Sequence, residues 1–220
     1  MTVTTRRERR QQQRRQQQRR DTGGGGSRGI GGLWIGVIVI AAVIALLLVA
    51  RQMGFLEGPS AANTIDVNSV DVSQTVGEKQ NDLGHDHVSS GQRVNYPSLP
   101  PTSGQHWPSP AAPAPWGIKT STLPFEVSTH NLEHGGVVIY YAADTSSAQV
   151  DQMRALVRSL QSAGFNKIVL EPWADMPKES KVILTAWDWI LKQPTFDQIS
   201  FVKFVRQHHA GSDAPEASVP

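Results

Sequence analysis

The 220-residue chain has no cysteine at all. No disulfide can brace it, and no thiolate is available as a nucleophile or a metal ligand. Its fold must rest on an apolar core, and any metal site must use His, Asp, Glu or Met. Other signatures are missing too. There is no internal repeat, no glycine-rich phosphate loop, no dinucleotide fingerprint and no Ser-His-Asp arrangement that the pattern can place. Positive charge is scarce outside the N-terminus. Residues 52–220 hold eleven Lys and Arg against seventeen Asp and Glu, while residues 1–28 hold nine arginines against Glu8 and Asp21. The overall charge of +2 therefore hides a basic tail on an acidic remainder.

The tail, residues 1–29, is rich in Arg, Gln and Gly and has too few apolar side chains to offset chain entropy, so it reads as disordered. Ile30 to Ala50 follows as an uninterrupted uncharged run, about 31 Å long as a helix. It shows no polar face, which a buried soluble helix would have. The expectation is a single transmembrane helix over 30–50. Nine arginines before it and Arg51 alone after it place the N-terminus in the cytoplasm and the rest outside. On this reading the arginines set topology and contact anionic membrane lipids, and no nucleic-acid partner is expected.

Residues 51–84 are mostly polar and read as an extracytoplasmic spacer, with Ile65, Val67, Val70 and Val72 hinting at one or two short strands. Residues 85–210 carry the domain, and 211–220 read as a disordered tail. Within the domain, residues 94–117 contain seven prolines and two tryptophans. That composition excludes a helix or a central strand. Tyr96, Trp107 and Trp116 are large apolar groups that a solvated linker would not need, so a long ordered loop is expected, with both tryptophans buried against a sheet. Val137–Tyr141 reads as a buried strand. Residues 146–163 read as an amphipathic helix with Val150, Met153, Leu156, Val157 and Leu160 inward, ended by Gly164. Residues 167–171 form a second strand. Residues 182–190 form a third, able to run antiparallel or to pass into a short helix. Residues 196–208 form a helix with Ile199, Phe201, Val202 and Val205 inward and Thr195 as its N-cap. The fold class is α+β: a small mixed sheet with a β-α-β-β-α core.

The chemistry is concentrated in histidines. In the stretch THNLEHGG, His130 and His134 are four apart, about 6 Å on a helical turn but about 13 Å on a strand. One turn ending at Gly135-Gly136 would let them share an ion. His-x-x-Glu-His is also the inverted zincin pattern, but that mechanism needs a longer helix and a further acidic ligand on a later helix. A third reading has the motif only satisfying loop backbone groups. His106 lies in PPTSGQHW, where prolines and a turn fix its direction. His85 and His87 flank Asp86 and would face one way in a strand. His208 and His209 read as solvated.

The succession HVSSGQRVNYPSLPPTSGQHW, FEVSTHNLEHGGVVIYY, IVLEPWADMP and LTAWDWILKQPTFDQISFVKFVRQH resembles the bacterial family called domain of unknown function 3105, over about His87 to His209. The anchor and arginine tail resemble its actinobacterial members. The resemblance marks His87, His106, His130, Glu133 and His134 as motif positions and implies no particular chemistry. His85, His208 and His209 fall outside it.

Taken together, the expectation is a membrane-anchored extracytoplasmic domain with a metal site of His106, His130 and His134, and His87 as a fourth ligand. Imidazoles without thiolates suit Cu(II) or Zn(II). Glu133 is a ligand, a partner of a ligand, or a base. One rival is a cell-envelope module that holds a protein partner and uses the histidines structurally. The other is a metal-dependent hydrolase with Glu133 as base.

Overall fold

The computed structural model describes residues 39–46 and 65–220. Residues 39–46 are helical, with exposed side chains at Val39, Ile40, Val43, Ile44 and Leu46. No helix among the described residues is long and apolar enough to cross a membrane. The rest of the expected span, the arginine tail and the spacer up to residue 64 lie outside the described residues.

The centre of the domain is β3 (Val137–Ala142), in which every side chain is buried. It is best understood with its neighbours, numbered along the chain: β1 (Glu78–Lys79), β2 (Gly117–Ile118), α1 (Phe125–Glu133), β3, α2 (Ser147–Ser162), β4 (Ile168–Trp173), β5 (Val182–Ala186), β6 (Trp189–Gln193) and α3 (Gln198–His208). The sheet order is β1-β6-β5-β3-β4-β2. β3 pairs in parallel with β4, and β4 in parallel with β2; the other pairings are antiparallel. The expected mixed sheet is therefore present, widened by a two-residue strand at each edge.

Alternation along the strands sends side chains to two faces. Val137, Ile139 and Tyr141 join Ile168, Leu170, Val182 and Leu184 under α2 and α3. On α2 the buried positions are Val150, Met153, Leu156, Val157 and Leu160, the five that helical spacing selected. Ser146 caps this helix by accepting a hydrogen bond from the Gln149 backbone. On the opposite face Val138, Tyr140 and Ala142 pack with Val169, Trp173, Ile183 and Leu132 of α1.

The structure corrects several expectations. Residues 182–190 are one strand and a turn: Trp187 and Asp188 make a tight link, with Asp188 at φ 59°, and the chain returns as β6. The N-cap of α3 is Asp197, whose carboxylate accepts from Ile199 and Ser200 N–H. A carboxylate at that position outcompetes Thr195, two residues too early. Ile199 is 46% exposed, because the buried stripe runs through Phe201, Val202, Phe204, Val205 and His208. Residues 65–84 are no polar spacer. Val67 and Val70 enter the core without forming a strand, and Arg206 and Gln207 of α3 donate to the carbonyls of Asn68, Val70, Val72 and Gln74. Residues 211–220, expected to be disordered, form turns folded back onto the end of α1.

The proline-rich segment is an ordered loop. Tyr96 is buried and its hydroxyl donates to Gln105 O at 2.6 Å. Both tryptophans are only partly buried, and only Trp116 reaches the sheet cluster. Trp107 lies instead against Ala112, Ala114 and Val127, with its indole N–H donating to Gln92 O at 2.7 Å.

Candidate metal centre

α1 is nine residues long, and eight of them, Glu126 to Glu133, are buried. Sequence periodicity revealed only its last turn. A helix covered on every side has no polar stripe, and most of its buried residues are themselves polar. Each needs a partner, and the surrounding loops supply them. Glu126 accepts from Val94 N–H at 2.8 Å and pairs with Arg93. Asn131 makes two bonds to the backbone of Ala114, at 2.8 and 3.0 Å. Ser128 donates to Glu171 at 3.2 Å. The proline-rich loop is thus fastened to α1 by polar contacts.

The helix ends where the motif does. Gly135 adopts φ 78° and its N–H bonds to Leu132 O, and Gly136 N–H bonds to Asn131 O. A Cβ on Gly136 would lie 2.5 Å from the Trp116 ring and 2.6 Å from Asn131 O. The double glycine therefore stops the helix and admits Trp116. Positions 130, 133 and 134 fall on one face of the final turn, as i, i+3 and i+4 neighbours.

Two loop histidines meet that face. Val88 N–H bonds to His106 O at 2.8 Å and His106 N–H to Asp86 O at 3.2 Å. This short parallel pairing sets His87 beside His106. The ring centroids of His87, His106 and His130 are 4.7 to 5.2 Å apart, and His134 adds its ring 4.7 Å from His130.

The Glu133 carboxylate, 1% exposed, is the focus. Its Oε2 lies 2.9 Å from His106 Nε2, 3.8 Å from His87 Nε2 and 3.9 Å from His130 Nε2. Its Oε1 lies 3.4 Å from His85 Nδ1. One ligand atom from each of His87, His106, His130 and Glu133 lies within 4.8 Å of all the others, a group that could hold a metal ion. A tetrahedral first-row ion spaces its ligand atoms about 3–4 Å apart. Shifts of a few tenths of an ångström to about 1 Å would close the group.

The tautomers are set by carbonyls. His106 Nδ1 is 2.8 Å from Gly104 O, and His130 Nδ1 is 2.6 Å from Trp107 O. A carbonyl can only accept, so both Nδ1 atoms carry hydrogen. In the neutral rings both Nε2 atoms then present lone pairs. Burial lowers the His130 pKa, opposed in part by the bond to Trp107 O, so this ring stays neutral. The His130 Nε2 lone pair thus turns toward a buried carboxylate that is already in hydrogen-bond contact with His106 Nε2 at 2.9 Å.

Of the expected ligands His106, His130, His134 and His87, the group holds His87, His106 and His130, and Glu133 takes the place expected of His134. His134 sits at the edge of the group, its Nε2 3.1 Å from His130 Nε2. Two participants were missed. His85 shares the side of His87, a placement the His-Asp-His alternation hinted at. Glu216, 3.2 Å from His134 Nε2, had no signal in the sequence. His208 and His209 are elsewhere and are not solvated. His208 packs between Trp189 and Phe204 with Nε2 3.1 Å from Val76 O, and His209 Nε2 accepts from Lys167 N–H. Burial lowers the pKa of both.

A sequence model of the family described as "Protein of unknown function (DUF3105)" matches residues 87–220. No curated protein and no solved structure matches the chain.

Proposed function

The chain belongs to the DUF3105 family, and from that premise we propose that its domain binds a divalent transition-metal ion, Zn(II) or Cu(II), through His87, His106, His130 and Glu133. One observation carries this reading. The carbonyls of Gly104 and Trp107 hold the Nδ1 hydrogens of His106 and His130, which turns both Nε2 atoms toward the buried Glu133 carboxylate, at 2.9 and 3.9 Å. Electron-rich atoms converge there only if something positive lies between them. A proton on His106 would serve one contact; a metal ion serves all of them. The carbonyl bonds are also the usual second support of a metal-ligating imidazole, fixing its tautomer and orientation.

The geometry favours Glu133 as a ligand over Glu133 as a free base. Its Oε2 is already directed at three imidazoles, and it is the one acid in that group among the described residues. The hydrolase reading is accordingly the weaker one. The purely structural reading, in which the chain is a cell-envelope module for a protein partner, needs only a proton between His106 Nε2 and Glu133 Oε2 and no bound metal.

The domain is further proposed to sit outside the cell membrane, held by residues 30–50, with the arginine tail in the cytoplasm against anionic lipids. The charge distribution and the uncharged run support this. A reporter fused after Pro220 should then be active only on the outer side, and cytoplasmic activity would overturn the topology.

The metal reading is tested by elemental analysis of the purified protein after dialysis against Zn(II) or Cu(II). The expected result is stoichiometric metal, with His106→Ala and His130→Ala each weakening retention roughly 10–100-fold or more. Wild-type protein that retains neither metal sinks the proposal.

A further inference from the structure

Beside the group just described lies a second one, formed by Glu133, His134 and Glu216, whose ligand atoms also lie within 4.8 Å of one another. The two groups share Glu133. We propose that the centre is dinuclear: Glu133 bridges two divalent cations, and the second cation is held by His134 and by Glu216 from the C-terminal segment. This inference rests on the metal reading above and extends it.

His134 is buried and poorly partnered. The ring is 7% exposed, and its Nδ1 is buried with no hydrogen-bond partner. Its Nε2 lies 3.1 Å from His130 Nε2 and 3.2 Å from Glu216 Oε2. If the hydrogen sits on Nδ1, the Nε2 lone pair faces another lone pair and a carboxylate. If it sits on Nε2, one hydrogen must serve two acceptors while a bare Nδ1 is buried. A cation at Nε2 relieves the crowded side, because it attracts the Nε2 lone pair and the Glu216 carboxylate together.

Glu216 is held beside that ring by its own backbone. The residues after α3 are fixed to the end of α1 by several bonds. Ala210 N–H bonds to Gly135 O at 2.7 Å, and Glu216 N–H bonds to Glu133 O at 3.0 Å. The Lys167 ammonium donates to His134 O, Ala217 O and Val219 O at 2.5 to 2.9 Å. One lysine therefore ties the helix end carrying His134 to the turn that directly follows Glu216. A carboxylate needed only for solubility would not require such anchoring. Glu216 retains a half-exposed side chain, 46%, which leaves a route for a cation from solvent.

The His130 and His134 Nε2 atoms are 3.1 Å apart and belong to different groups. Two ions on either side of a shared carboxylate would then be neighbours at about the 3.5–4 Å spacing of two-metal sites. The class of ligand is a pair of first-row divalent cations, with Glu216 completing the outer position.

The test uses the full-length protein in detergent and Zn(II) alone as the probe. Equilibrium dialysis followed by elemental analysis should give two zinc ions per chain. Glu216→Gln, which keeps size and backbone bonds, should reduce this to one, and His106→Ala should deplete the inner position instead. Cobalt(II) supplies an independent readout: a bridged pair couples magnetically and loses paramagnetic resonance intensity, and Glu216→Gln should restore an uncoupled signal. One zinc per chain in the wild type, unchanged in Glu216→Gln, overturns the second position and leaves the single-ion reading intact. No zinc in the wild type overturns both.

Discussion

Replacing Glu133 with glutamine separates a metal ligand from a structural ion pair. The carboxylate is 1% exposed, and its polar neighbours are His106 at 2.9 Å, His85 at 3.4 Å, His87 at 3.8 Å and His130 at 3.9 Å. With metal as the natural occupant, Zn(II) at a thousandfold excess over its Kd stabilises the wild type by about 4 kcal/mol. For a domain of this size that is about 8–16 °C in Tm. Glu133→Gln keeps the shape but loses the anion. An affinity loss of about 100-fold removes about 2.7 kcal/mol, so the zinc-induced rise should shrink to about 3–5 °C. In chelator the variant should be at least as stable as the wild type, because it no longer buries an anion that the metal would neutralise. If His106 and Glu133 instead form a structural ion pair, breaking it should cost about 3–5 kcal/mol in chelator. Scanning calorimetry in EDTA and in Zn(II) reads both quantities. A wild type indifferent to Zn(II), Cu(II) and Co(II), together with a large drop for Glu133→Gln in EDTA, would refute the metal argument.

His208→Ala should leave the zinc-induced rise in Tm unchanged while lowering the metal-free Tm by the equivalent of about 1–3 kcal/mol, since His208 packs on Trp189 and Phe204 and lies outside both groups; His106→Ala should abolish most of the rise, and equal responses would contradict the assignment. Gly136→Ala should destabilise by about 1–3 kcal/mol or more, because its Cβ would meet Trp116 at 2.5 Å and a backbone oxygen at 2.6 Å; an unchanged urea midpoint would show that Trp116 does not pack there. Glu171 is fully buried, and burial pushes its pKa up to about 7 from 4.5. The native state therefore binds this proton more tightly than the unfolded chain. The resulting stability is fully present below about pH 4.5 and is lost as the pH rises through about 7, a change of about 3 kcal/mol at most. Glu171→Gln should flatten that part of the pH–stability curve, and an unaltered slope would count against the buried, protonated carboxyl.

Local patterns in the chain fixed local structure. Five apolar residues at helical spacing made α2, with Ser146 and Gly164 at its ends, and a run of five β-branched and aromatic residues made β3. The same kind of reasoning failed where neighbours decide. α1 has no amphipathic stripe because the sheet and the proline-rich loop cover it from opposite sides. The β5–β6 hairpin hides in one apolar run because its turn is only Trp187-Asp188. The segments 65–84 and 211–220 look like polar linkers, yet side chains of α3 and Lys167 bind their carbonyls. A polar segment can be ordered when its backbone groups find partners, and composition does not reveal partners far along the chain.

The candidate centre divides the same way. Spacing offered His130, Glu133 and His134 as neighbours, since i, i+3 and i+4 positions share a face once the segment is a helical turn, and the structure makes it one. The absence of cysteine likewise confined any metal site to His, Asp, Glu or Met. Only the tertiary structure decided that His87 and His106 reach the same carboxylate, that Glu216 arrives from the far end of the domain, and which nitrogen of each ring faces inward. Those outcomes depend on where the carbonyls of Asp86, Gly104 and Trp107 come to rest beside α1. Convergence of ligands from separate loops has no period in the chain; it is a property of the packed backbone, which aims the imidazoles through hydrogen bonds that exist only once the loop has closed over the helix.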